Sequence, residues 1–206
     1  MYSPLSTVNN GFGIGFRLNF SQYNKNTQQL LLSNAEEYRI GNNDQVKQQK
    51  LKNFIFKKLN DNTCQITYKS GLIERLSLRS DEIYVPPKIS SPDGRSLNLT
   101  WDSHFSPARV TDDDGHILCS VTYPDNTFAT RRFTLLPDNS ELSHKITFTF
   151  MNERLKKVTN YATAPEQVWS FDYDDIGPQG SYKGYYRCSF IYWADRKSQL
   201  LHSGRG

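Results

Sequence analysis

The sequence predicts an all-β chain of consecutive antiparallel hairpins forming one curved sheet, and three observations carry that reading. Apolar residues recur at every second position in five separate stretches, the spacing that places side chains on one face of a strand. Turn-forming residues separate these stretches at intervals of roughly 8 to 12 residues, which fits hairpins rather than strand–helix–strand units. Aromatic residues make up 13% of the chain, with 12 Tyr, 12 Phe and 3 Trp, and their shape suits a pleated surface.

The elements follow in chain order. From Asp44 to Leu59, Leu51, Phe54, Ile55 and Leu59 have helical spacing, yet Phe54-Ile55-Phe56 also reads as a strand. The polar residues up to about Gln49 favour a loop followed by a strand. Asn60-Asp61-Asn62 then supplies a turn before Cys64, Ile66 and Tyr68, which alternate with Gln65 and Thr67. Ser70-Gly71 and Pro92-Asp93-Gly94 are the next turns, and the row Leu97, Leu99, Trp101 follows the second. Asp113-Asp114-Gly115 precedes the row Ile117, Cys119, Val121, Tyr123. Pro137-Asp138-Asn139 precedes Ile146, Phe148 and Phe150; the last row is Trp169, Phe171, Tyr173. Asp-Gly and Asn-containing pairs provide the positive φ that tight hairpins require.

Charge and composition narrow the classes. The 206 residues carry 25 Lys and Arg against 21 Asp and Glu, a net +4, and the mean hydropathy is −0.67. No stretch approaches the ~20 apolar residues of a membrane helix, and Met1–Leu5 lacks the charged-then-apolar pattern of a signal peptide. No membrane insertion is expected, and localisation stays open. Six basic residues (Arg39, Lys47, Lys50, Lys52, Lys57, Lys58) face one acid, Asp44, between positions 39 and 58. Without a recognition helix or stacking motif they read as a solvated loop and an edge strand, so no nucleic-acid partner is expected. Cys64, Cys119 and Cys188 lack CxxC spacing and the four His are scattered, which argues for reduced thiols and against a zinc site.

A repeat underlies the alternation. Lys88-Ile89 leads through Gly94, Leu97 and Leu99 to Trp101-Asp102, and Arg109-Val110 leads through Gly115, Cys119 and Val121 to Tyr123-Pro124-Asp125. In both, the β-branched residue precedes Gly by five positions. A third copy runs from Arg154-Leu155 and Val158-Thr159-Asn160 to Phe171-Asp172-Tyr173-Asp174-Asp175-Ile176-Gly177, after an inserted Phe128–Phe150 hairpin.

Tyr173-Asp174-Asp175-Ile176-Gly177 matches the Tyr-Asp-x-x-Gly signature of the RHS/YD-repeat proteins, and the third copy as a whole resembles their repeat. Tyr2–Leu5 and Gly11–Asn19 resemble the segment preceding the repeats in large bacterial RHS proteins. The resemblance covers residues 1–182, a pre-repeat segment of about 1–80 and repeat-like segments over about 84–177; residues 183–206 form an atypical tail. It implies a β-strip wound into a hollow shell around a toxin cargo, of which this chain is an N-terminal-side slice. Such proteins occur in insecticidal toxin complexes and polymorphic toxin systems and are often labelled sugar-binding or cell-surface. The implied partners are the remainder of a longer shell and its cargo.

Structural roles are expected for the turn glycines Gly94, Gly115 and Gly177, for Asp174, and for the inward aromatics Trp101, Tyr123, Trp169, Phe171 and Tyr173. A carbohydrate-binding surface module is the alternative, with Tyr182, Tyr185, Tyr186, Tyr192 and Trp193 as stacking faces. Gly11-Phe12-Gly13-Ile14-Gly15 lacks the spacing and flanks of a phosphate loop. The carboxylates of Asp112–Asp114 and Asp172–Asp175 read as turn formers rather than calcium ligands. Glu36-Glu37 and Asp81-Glu82 are adjacent pairs, which point to opposite faces of a strand and so cannot act together as glycosidase acids. No catalytic residues, metal or cofactor are expected.

Overall fold

The computed structural model describes residues 18–103, 106–124, 129–162, 164–175 and 186–193, with side chains described as far as Phe171. It is all-β, its strands paired antiparallel in successive hairpins, as the alternation requires. Two compact units divide the chain: Asn19–Leu118, and Leu18 together with the described residues from Cys119 on.

The first unit begins with three short strands, β1 (Gln22–Asn24), β2 (Gln29–Leu31) and β3 (Glu37–Ile40). A single 3-10 turn at Asn42–Asp44 leads to β4 (Val46–Lys47). Then come β5 (Phe54–Asn60), β6 (Thr63–Tyr68), β7 (Ile73–Leu78), β8 (Ile83–Ser90), β9 (Ser96–Trp101) and β10 (Pro107–Thr111). The segment with competing helix and strand signals ends in a strand, as its second half suggests, but its polar first half, expected to be a loop, includes the two-residue strand β4 paired with β3.

β8 is the branch point. One of its edges pairs with β7. The other is shared: Ile83 and Tyr84 lie opposite Asn24 and Tyr23 of β1, while Lys88–Ser90 lie opposite β9. Pro86 and Pro87 fall at the changeover, where residues without N–H groups leave no ladder donor unmet. The β7–β8 register also shifts there, with Leu76 facing the two prolines as in a β-bulge.

Strands β1–β4 and β5–β8 turn apolar side chains toward each other. Tyr23, Leu30, Leu32 and Ile40 from the first group form one buried cluster with Phe54, Phe56, Cys64, Ile66, Leu76 and Tyr84 from the second. Tyr23 is only 1% exposed and its ring lies 4.9 Å from that of Phe56 and 5.4 Å from that of Tyr84, within the range of tilted aromatic pairs. Burial pushes the Cys64 thiol up to about 12, Lys58 opposing weakly, so this cysteine is a neutral core group.

The second unit is a meander in chain order: β11 (Ile117–Thr122, which spans the division), β12 (Thr130–Leu135), β13 (His144–Met151), β14 (Arg154–Asn160), β15 (Gln167–Asp175) and β16 (Tyr186–Trp193). Leu155 and Phe171 are buried, but Val121, Phe133 and Phe148 stay half-buried. The Phe133 and Phe148 rings meet edge to face at 5.2 Å. Among the described residues no helix is long and apolar enough to cross a membrane.

All five alternating rows lie on strands except for Tyr123, which falls just past the end of β11, and Phe54–Leu59 lies on β5. Two positions depart from the pattern: Leu97, expected on the apolar side of its row, is 41% exposed while Leu99 is buried, and Thr147, on the polar side of its row, is buried between the half-buried Ile146 and Phe148. Leu97 stands next to the turn, where the face it shares with Leu99 runs out into solvent.

Candidate functional site

Three glycine turns, two of them from the repeat, gather on one rim of the first unit. At Tyr68–Leu72, Ser91–Arg95 and Asp112–His116 the same two backbone bonds recur: the first residue donates to the carbonyl of the fifth, and the fourth, a glycine, donates back to the first. Gly71, Gly94 and Gly115 have φ of +88°, +88° and +86°, the left-handed region that closes a short hairpin and disfavours a Cβ. Two further turns carry the same bonds without glycine. Ala35 (φ 75°) closes Leu32–Glu36 and Glu82 (φ 62°) closes Arg79–Ile83.

Neighbouring turns touch. A Cβ on Gly71 would come within 2.8 Å of the Pro92 ring. Asp113 accepts the Ser96 backbone N–H at 2.6 Å and lies 3.8 Å from the Lys88 ammonium, while the Asn98 amide donates to the Asp112 carbonyl. Asp93 accepts from the Ser91 hydroxyl and the Arg95 guanidinium, and these bonds hold its carboxyl down to about 2. Oxygens of Asp112 and Asp114 and a ring nitrogen of His116 lie within 4.8 Å of one another. The Asp112 carboxylate is engaged by the backbone and ring of His116, so its bonds close the turn.

Trp101 sits at the end of β9, where its indole N–H donates to the Pro86 carbonyl at 3.1 Å. Phe20 meets it edge to face and the Arg79 guanidinium lies over its ring, so it packs beside the branch in β8. In the second unit the buried Arg131 guanidinium stands over the rings of Tyr123 (5.9 Å) and Phe150 (5.2 Å). Trp169 is half-buried on β15, and Phe171 is 4% exposed. Tyr173 and Asp174 lie on β15, opposite Cys188 and Arg187 of β16. Tyr186, Tyr192 and Trp193 lie on β16, opposite Asp175, Trp169 and Val168. Gly177, Tyr182 and Tyr185 fall outside the described residues, as does Gly11–Gly15. The third repeat copy is again strand, turn and strand, but β14 and β15 are joined through a longer loop containing Pro165, without a glycine turn.

Two features went unread in the sequence. Glu74 on β7 is 2% exposed; its Oε1 accepts from the Tyr68 hydroxyl at 3.2 Å and the Ser33 hydroxyl at 3.5 Å, and Ser21 bonds both Tyr68 and the Ser33 backbone. Burial pushes the Glu74 carboxyl above its ordinary value, opposed by the hydroxyls of Ser21, Tyr68 and Ser33. Alternation around Glu74 gives it an inward position, but a charged residue type hides that from a search for apolar rows. The other is a groove of about 510 Å³ along β5, lined by Val46, Phe54, Ile55, Phe56 and Tyr68 with Lys52 and Lys69 at its mouth. The lysine run from 47 to 58 is its sequence trace.

No family model matches the chain, and no curated protein matches it. Among solved structures, a porin-like protein from Bacteroides uniformis is similar over 83% of this chain and 84% of its own, at 11% sequence identity and a TM-score of 0.46.

Proposed function

We propose that the chain is a non-catalytic structural segment of an RHS-repeat-like β-shell that encloses a toxin cargo. The observation that favours this reading is the recurring hairpin turn. Five turns share one bonding pattern, the two repeat glycines Gly94 and Gly115 occupy the same place in it, and the three glycine turns meet along a rim. Such a unit extends by adding hairpins, each pairing with the open edge of the one before, as repeat architectures grow by stacking units on their neighbours. The half-buried rows of β11–β13 are apolar faces of the kind that further layers cover.

The test is to read the coding DNA on both sides of this segment in every frame. Tyr-Asp repeats continuing downstream, in any frame, are the expected result. Flanks without such repeats would overturn the shell reading.

A further inference from the structure

We propose that the free edge of β5 is a docking site for an extended acidic peptide segment of another protein, added as a further strand. The inference is independent of the shell reading. Among the described residues β5 pairs with β6 alone. Asn53, just before the strand, turns its carbonyl to β6 by accepting from Lys69 N–H, so Phe54, Phe56 and Lys58 direct their backbone groups to the open side. Two of those groups are met by side chains from the preceding loop. The Asp44 carboxylate accepts the Lys58 N–H at 2.8 Å, and the Gln49 amide donates to the Phe54 carbonyl at 3.0 Å. Phe56 lies between them. The loop therefore occupies both ends of a ladder with side-chain groups of the kind a backbone would supply, and an incoming strand replaces them with its own N–H and C=O groups.

The surroundings specify the partner's chemistry. Phe54 and Phe56 point inward, while Ile55, Lys57 and Leu59 point out, with Ile55 69% exposed. In the loop, Leu51 is 74% exposed beside the exposed Lys50 and Lys52. Lys52 and Lys69 line the groove, Lys47, Lys50 and Lys57 are exposed on β4, the loop and β5, and the acid among the described lining residues is Asp44, already engaged with Lys58 N–H. An added strand that alternates acidic and apolar residues sets the acidic ones on the outer face beside Lys57 and the apolar ones on the inner face beside Phe54 and Phe56. The lysines repel a second β5 from another copy, and favour an acidic strand by charge complementarity.

The test titrates the full chain with a fluorescein-labelled peptide alternating Glu and Val. Two control peptides replace Glu by Lys or place Pro at the central positions. The Glu peptide is expected to bind, with slower amide exchange at Phe56. Lys52→Glu combined with Lys69→Glu, both exposed sites, should weaken it by about tenfold or more with unchanged circular dichroism. The Lys and Pro peptides should fail, one by charge and the other by loss of ladder donors. Absence of binding by the Glu peptide would overturn the proposal. So would equal binding by either control, capture of anionic vesicles without the peptide, or self-association of the chain that protects Phe56.

Discussion

In the first unit, β1–β4 and β5–β8 face each other, and ten side chains between them are sealed from water. In the second, β11–β15 follow one another along the chain, and rows such as Ile117, Cys119 and Val121 remain half-buried. Both regions obey the same period of two, and both are hairpins with polar turns. They differ in what lies over the apolar face. Alternation thus encodes that a strand has a greasy side, while the opposing layer depends on contacts distant in sequence.

The sharpest way to break this comparison is to cut equal aromatic side chains from both regions. Phe54→Ala should cost about 3–5 kcal/mol, because a buried ring leaves a cavity that the packed layers cannot fill. Phe133→Ala, at a half-buried position, should cost roughly half as much. Urea unfolding of the two variants gives both numbers, and equal losses would erase the distinction between the regions.

Glu74 supplies a second contrast, since the closed core contains a carboxyl group. Its folded pKa lies above the unfolded value, so the stabilisation is complete below the unfolded value and is lost as pH rises through the folded one. Stability should fall across that window by up to about 1.4 kcal/mol per pH unit, the limit for one proton. Glu74→Gln should remove that slope. Denaturant midpoints measured from pH 4 upward would show it, and an unchanged slope in the variant would assign the titration elsewhere.

The turns sharpen the comparison within the first unit. Ala35→Gly should stabilise by about 1 kcal/mol, because Ala35 holds a left-handed conformation that its Cβ opposes. Gly94→Ala should destabilise by a similar amount, with open space around the added methyl so that backbone strain alone is read. A matched pair of thermal melts tests both signs. The smallest effect is expected at the exposed Lys25–Glu82 ion pair, 3.4 Å apart, where Lys25→Ala should change stability by no more than about 0.5 kcal/mol.

How far each region was legible follows from the same physics. Strands of six or more residues, such as β6, β9 and β13, show enough alternation to be read directly. β1 and β2 span three residues each, too few for a period, yet Tyr23 and Leu30 on them complete the core. The glycine turns announced themselves. The equivalent turns closed by Ala35 and Glu82 did not, because nothing in those residue types signals positive φ. The lysine run marked an edge strand, but the groove beside it arises only when β4 and β5 are brought together by folding.

Pro86 and Pro87 give β8 a property that ordinary strands lack. Because neither residue offers a ladder donor, pairing on that edge stops and restarts across them. Changes on the β9 side need not propagate into the strand's first half, where Tyr84 closes against Tyr23. The dipeptide acts as an insulator between two reading frames of hydrogen bonding. Hairpins could be gained or lost after Ser90 over evolutionary time while the sealed core kept its register.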